Sequence, residues 1–222
     1  MERTLYHYPF CPFSRKVRLT LGESKLNHTL IMARPWVERA LIKKLNPAKT
    51  IPILVEETNV FSHSQAICEY LIEEYGKKQL LGTSAIERAE IRRVTAWFDE
   101  SFFHDVVDTV VFEKTVHRAI FGGSPDSMRM RRGLVKLLDH LTYMSFLLER
   151  RSWLTGPNLT LGDLSAGAHM STLDYFGHIP WDDFPMVKEW YMRLKSRPSF
   201  RGLLTDTLPA FKPVEHYADL DF

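Results

Sequence analysis

The chain has 222 residues, 45% of them hydrophobic, enough for one large core or two small ones. Its 29 Lys and Arg against 27 Asp and Glu give a net charge of +2, so it lacks the strongly basic footprint of a nucleic-acid-binding protein. Two cysteines 57 positions apart make no disulfide framework, no run of 18 apolar residues is long enough to span a membrane, and the N-terminus shows no signal-peptide pattern; a reducing, cytoplasmic setting is expected.

Residues 3–8 are rich in Tyr, Leu and Thr and stop at Pro9, which reads as a strand entering a loop. Ser14 to Lys25 predicts a short helix, with Pro12 suited to its first turn, and His28 to Met32 predicts a second strand. Trp36 to Lys44 reads as a helix ended by Asn46-Pro47. Ile51–Val55 and Asn59–Phe61 form a hairpin, and Ser64 opens a helix through Ile72. The order β-α-β-α-β-β-α predicts a mixed sheet with helices packed on it.

Strand signals stop at residues 77–86. Glu87 to Phe121 predicts one long amphipathic helix, carried by Ile91, Val94, Trp97/Phe98, Phe102, Val106 and Val110. Gly122–Pro125 breaks it, and Met128–Arg150, Thr160–Phe176 and Pro185–Lys195 supply further helices before an irregular tail after Pro209. Trp97, Phe98, Phe102 and Phe103 carry more apolar surface than one helix face needs for its own core, which suggests a dimer contact.

Four short segments bear on chemistry. Cys11-Pro12-Phe13-Ser14 lies between a strand and a helix, where the helix N-terminus favours thiolate and Arg15, Lys16 and Arg18 would add to that field. It is a C-x-x-C motif with Ser14 for the second cysteine, so it allows monothiol exchange and no internal disulfide; the other reading is a buried, inert Cys11. Cys68, in an apolar helical stretch, reads as core. Thr50-Ile51-Pro52 opens a strand, and sequence alone does not make its proline cis. His63-Ser64 at a helix start is either an anion site or a plain serine N-cap. Thr160-Leu161-Gly162-Asp163 is a capping box with Asp in place of Glu. His63 and Cys68 lie off a single helical face and no ligand-spaced pair exists, so no metal is expected.

In this order and spacing the four segments resemble the cytosolic glutathione S-transferase superfamily along essentially the whole chain. The resemblance implies a fold of class α/β plus all-α: a thioredoxin-like domain over 1–78 and an all-helical domain over 87–222 with a tail at 209–222, paired as a homodimer. It implies Cys11 and Ser14 as catalytic candidates, a cis-proline loop at Ile51 and Pro52, and glutathione held by Ile51, Pro52, His63 and Ser64. His63 stands where the family usually has Glu or Gln, which implies glutathione binding that is weak or lost.

The C-terminal third, through Asp174-Tyr175-Phe176-Gly177, Trp190–Arg201 and His216–Phe222, is similar to an alphaproteobacterial branch of the superfamily. That branch binds FtsZ filaments and regulates cell division; the alternative is an active glutathione transferase or thiol transferase using Cys11. In the tail, Tyr217, Leu220 and Phe222 alternate with Asp219 and Asp221, which reads as a docking segment or as a segment packed on its own domain.

Overall fold

The computed structural model describes residues 2–76 and 78–222. β1 (Arg3–His7), α1 (Pro12–Glu23) and β2 (Thr29–Met32) form a parallel β-α-β unit. α2 (Arg39–Leu45), the hairpin of β3 (Ile53–Glu56) and β4 (Asn59–Ser62), and α3 (Ser64–Tyr75) follow. The sheet order is β2-β1-β3-β4, with Leu5 of β1 opposite Leu54 of the antiparallel β3. Leu5 and Leu54 turn to the face covered by α1 and α3, in one core with Val17, Ile67 and Leu71. Tyr6 and Val55 turn to the other face, where Ile42 of α2 and Ala33 close over Ile53. Two helices start elsewhere than their patterns suggest. α1 begins at Pro12, because a proline at the first position gives up only an N–H that had no partner. α2 begins at Arg39, because Glu38 bonds back to the Arg34 backbone N–H (2.6 Å) and closes a turn over Trp36.

In the second half, the Ser84/Glu87 capping box opens α4 (Ala85–Ala96), which continues into a π-helical stretch (Trp97–His117) and α5 (Arg118–Phe121). The expected single helix is therefore continuous but differently wound. Its buried residues recur at 98, 102, 106–107, 110–111 and 115–116, steps longer than the α-helical 3.6 and suited to i→i+5 bonding. α6 (Ser127–Leu148) is capped by the Asp126 carboxylate, which accepts the Met128 and Arg129 N–H groups at 2.9 and 3.0 Å. α7 (Leu161–Asp174) is buried at every residue, and α8 (Pro185–Lys195) and α9 (Arg201–Leu204) complete the domain. The Thr160–Asp163 capping box forms as expected. Its fully buried Asp163 also accepts the Leu154 N–H (2.8 Å) and the Trp190 indole N–H (3.0 Å); burial still pushes its carboxyl up to about 6.

The two halves meet along α1. Fully buried Arg15 donates to Ser171 Oγ (2.8 Å) and the Tyr217 hydroxyl (3.1 Å) and pairs with Asp206 (3.3 Å). Arg18 pairs with the same Asp206 at 2.6 Å. Fully buried Lys16 pairs with Asp99, whose other oxygen accepts the Ser165 hydroxyl at 2.7 Å. All three cations are thus engaged by the second half instead of facing Cys11. The aromatic surplus also finds its place inside the protomer. Phe98 and Phe102 are fully buried, and Trp97 and Phe103 pack on the same core while remaining partly exposed.

The tail likewise folds onto its own domain. Tyr217 is buried in one cluster with Phe10 and Tyr175, edge-on to the Tyr175 ring, and its hydroxyl donates to the Leu203 carbonyl at 3.1 Å. Phe222 stacks on His216 (4.8 Å) with the Lys195 ammonium 4.1 Å from its centroid. Of the three apolar residues of the docking reading, Tyr217 is buried, whereas Leu220 and Phe222 are partly exposed; Asp219 and Asp221 are exposed. Truncating Tyr217→Ala should cost about 3–5 kcal/mol, the range for a large buried ring, because it also strips Arg15 of a partner. Urea unfolding at neutral pH checks this, and a loss under about 1 kcal/mol would refute the buried assignment.

His7, buried on β1 with its Nδ1 unpartnered among the described residues, is lowered to about 4, by burial first and then by Arg18. An unfolded histidine takes its proton near 6.5, so between 6.5 and 4 the unfolded chain binds more protons than the native one. Stability should then be full above that window and fall as pH drops through it, by up to about 3 kcal/mol from His7. Guanidinium unfolding at pH values across the window should show a shallower decline for His7→Gln than for the native protein; parallel declines would remove His7 as the cause.

Candidate functional site

The starts of α1 and α3 face one space, and Ile51 of the cis Ile51–Pro52 peptide faces it too. A cavity of about 310 Å³ opens there, lined by Cys11, Ile51, His63 and Ser64 together with Tyr8, Phe13, Trp36 and Phe112. Four of the six expected residues therefore converge on one cavity. Ser14 and Pro52 are buried and do not line it: Ser14 is fully buried and its Oγ accepts the Tyr8 backbone N–H at 3.4 Å.

Cys11 occupies the position just before α1, in extended backbone, and makes no side-chain cap. Its N–H donates to the Tyr8 carbonyl (3.0 Å) and its carbonyl accepts from Arg15 N–H (3.0 Å). Cys11 is buried, 6% exposed as a residue. Burial pushes its thiol up, the Ser14 hydroxyl and the Ser14 and Phe13 N–H groups pull it partway back, and the Asp99 charge adds to the rise. The net direction is up, opposite to the expected activation. The main reason is burial, and the α1 cations that were expected to favour thiolate are engaged with Asp206 and Asp99. Cys68 is fully buried, as its apolar setting implied, and the burial raises it to about 11.

At α3 the cap is His63 and not Ser64. His63 has φ 74°, a left-handed backbone uncommon outside glycine, and makes no side-chain cap; Ser64 is the first helical residue. Ile67 N–H closes the first turn on the His63 carbonyl (3.0 Å), leaving the N–H groups of residues 64–66 without intrahelical acceptors, the usual setting for an anion. The sheet side of the cavity thus offers N–H donors and a thiol, and the helical side offers apolar rings. Sequence reasoning missed Tyr8, Trp36 and Phe112. An aromatic after Pro35 in a loop was a usable signal for Trp36; Phe112 had none, since it lies off the buried stripe of its helix.

Phe13 joins the cavity to the interior, packing on Phe103 (4.8 Å) and edge-on to His169 (5.6 Å). His169 is fully buried, faces Asp99 at 3.4 Å, and is lowered by burial. Among the described residues no cluster of three His, Cys, Asp or Glu side chains is placed to hold a metal. Alkylation of Cys11 by iodoacetamide should keep accelerating above the ordinary thiol range, near 8.5, with no inflection below it. Ser14→Ala should slow it further, since a donor that favours thiolate is lost. An inflection at pH about 7 would show the helix terminus winning over burial.

The N-terminal part, residues 5–79, matches the family described as glutathione S-transferase, N-terminal domain. The chain is 43% identical over 226 residues to FtsZ-localized protein A of Caulobacter vibrioides, spanning 100% of this chain and 99% of that one. The solved structure of FzlA from C. crescentus superposes with a TM-score of 0.96 at 43% identity, covering 100% of both chains. Glutathione S-transferase D7 of Drosophila melanogaster is 30% identical over 200 residues, 87% of this chain and 83% of the relative. Sheet order, helical domain and these full-length similarities agree: the chain belongs to the glutathione S-transferase family.

Proposed function

We propose that this chain is a bacterial division protein built on the glutathione transferase fold, a cytoplasmic homodimer that binds FtsZ filaments, with glutathione binding weak or lost. The observation that carries the reading is the 43% identity to FtsZ-localized protein A along 100% of the chain. The site's chemistry supports it: the Cys11 thiol is buried and raised, the Ser14 hydroxyl is turned inward, and His63 replaces the usual acid or amide ahead of Ser64. None of these features favours a nucleophilic thiolate or a tightly held tripeptide.

A second reading, a glutathione transferase or thiol transferase using Cys11, draws on the convergence of Cys11, Ile51, His63 and Ser64 on one cavity. In it, Cys11 takes part in thiol exchange with Ser14 donating to its sulfur, Ile51 and Pro52 face the tripeptide backbone, and His63 and Ser64 meet its γ-glutamyl carboxylate. Two assays on one preparation separate the readings: retention on glutathione resin and co-sedimentation with polymerised FtsZ. The expected result is pelleting with filaments, undiminished in Cys11→Ala, and no retention on the resin. Firm retention and Cys11-dependent thiol transfer, without pelleting, would reverse the assignment.

A further inference from the structure

We propose that the outer edge of β2 is a strand-addition surface for an extended, acidic and apolar segment of a partner protein. β2 is a terminal strand of the sheet, so one side of its backbone faces no other strand. Parallel strands normally lie between two covering layers and carry uninterrupted apolar runs. β2 has such a run, yet Leu30, Ile31 and Met32 are 39%, 39% and 55% exposed. The register explains why this is unusual. Leu30 stands opposite Leu5, on the α1 face, and Ile31 stands opposite Tyr6, on the α2 face, so neither layer reaches far enough to cover the strand. At the other edge, β4 stacks Phe61 on Tyr70 at 4.1 Å. Nothing in Thr29–Met32 is a charge or a proline, the usual devices that blunt an edge. Val37 and Leu41 continue the exposed apolar stretch, so five of the 14 exposed large apolar residues among the described residues fall within residues 30–41.

Charge selects the occupant. Residues 25–49 hold Lys25, Arg34, Arg39, Lys43, Lys44 and Lys49 against Glu38 alone, in a chain that is otherwise nearly balanced. Glu38 pairs with Arg34 at 2.9 Å, leaving the other five cations no carboxylate from their own segment. A second copy paired edge to edge would set these cations against one another. The chain's own acidic, apolar tail is held elsewhere by Tyr217 and Phe222. A strand from another protein fits, with apolar side chains on Leu30 and Ile31 and Asp or Glu near the lysines, its backbone bonding to the β2 edge.

The test uses the full-length protein and two fluorescein-labelled peptides, one alternating valine with glutamate and one alternating valine with lysine. By fluorescence anisotropy the acidic peptide should bind about tenfold or more tightly than the basic one. Ile31→Glu should abolish that preference, and Lys43→Glu with Lys44→Glu should weaken it several-fold and flatten its salt dependence. Phe146→Glu, an exposed apolar site on α6, should leave it unchanged. Hydrogen exchange should show the bound peptide slowing amides within 29–32, and matching melting curves would keep the variants comparable. Equal binding of both peptides, indifference to Ile31→Glu, or protection confined to other strands would overturn the proposal. A dimer that Ile31→Glu dissociates in sedimentation velocity would also overturn it, by giving the face to a second copy.

Discussion

Burial of three cations on α1 is the constraint from which most of the structure follows. Arg15 and Lys16 are fully buried and Arg18 nearly so. A charge taken out of water without a partner costs several kcal/mol, so each must meet a carboxylate or a set of oxygens. Those partners come from outside the first domain: Asp99 on the π-helical stretch, Ser171 on α7, Asp206 after α9 and Tyr217 in the tail. Such pairs are costly to break by removing one partner, and they fix one arrangement of the halves. As acceptors the first domain supplies only the Pro9 carbonyl to Arg15 and the Gln65 side chain to Lys16, among the described residues, and the carboxylates come from the second domain.

The same arrangement sets the electrostatics of the cavity. A helix start favours anions, and a thiol placed there in isolation would be acidified. Here the basic residues next along the chain point into the domain interface, and Asp99, drawn in to neutralise Lys16, raises the thiol it lies near. Burial is the larger reason the Cys11 thiol is raised, and the cations that could oppose it are engaged in the interface.

How far this was legible in the sequence depends on whether the signal was local. Alternation and helical spacing located the strands and helices, and the Thr160–Asp163 box and the apolar setting of Cys68 were read correctly because near neighbours decide them. The π winding was also present, in the four- and five-residue steps from Phe98 to Val116, though an α-helical template absorbs such steps without comment. What escaped was long-range. Nothing near Arg15 announces a partner 202 positions away at Tyr217, and alternation in the tail suits a docking strand and a packed end equally. His63 as the cap also escaped, because serine is the residue expected to cap and a histidine with positive φ is not.

The intact Cys11-Pro12-Phe13-Ser14 motif is an argument for thiol chemistry, since a binding protein has no need of a nucleophile. Each residue nevertheless has a structural task. Cys11 supplies both backbone bonds that join the loop to α1, Pro12 occupies the first helical position, and Phe13 packs on Phe103 and His169 across the domain interface. Ser14 satisfies the Tyr8 N–H inside the protein, where an unpaired donor would cost about 1–3 kcal/mol. Three of these four tasks depend on the side chain or on the ring of proline, and only the one at Cys11 is met by backbone alone. Retention of the motif is thus accounted for by folding at Pro12, Phe13 and Ser14, and the case for chemistry narrows to the sulfur of Cys11.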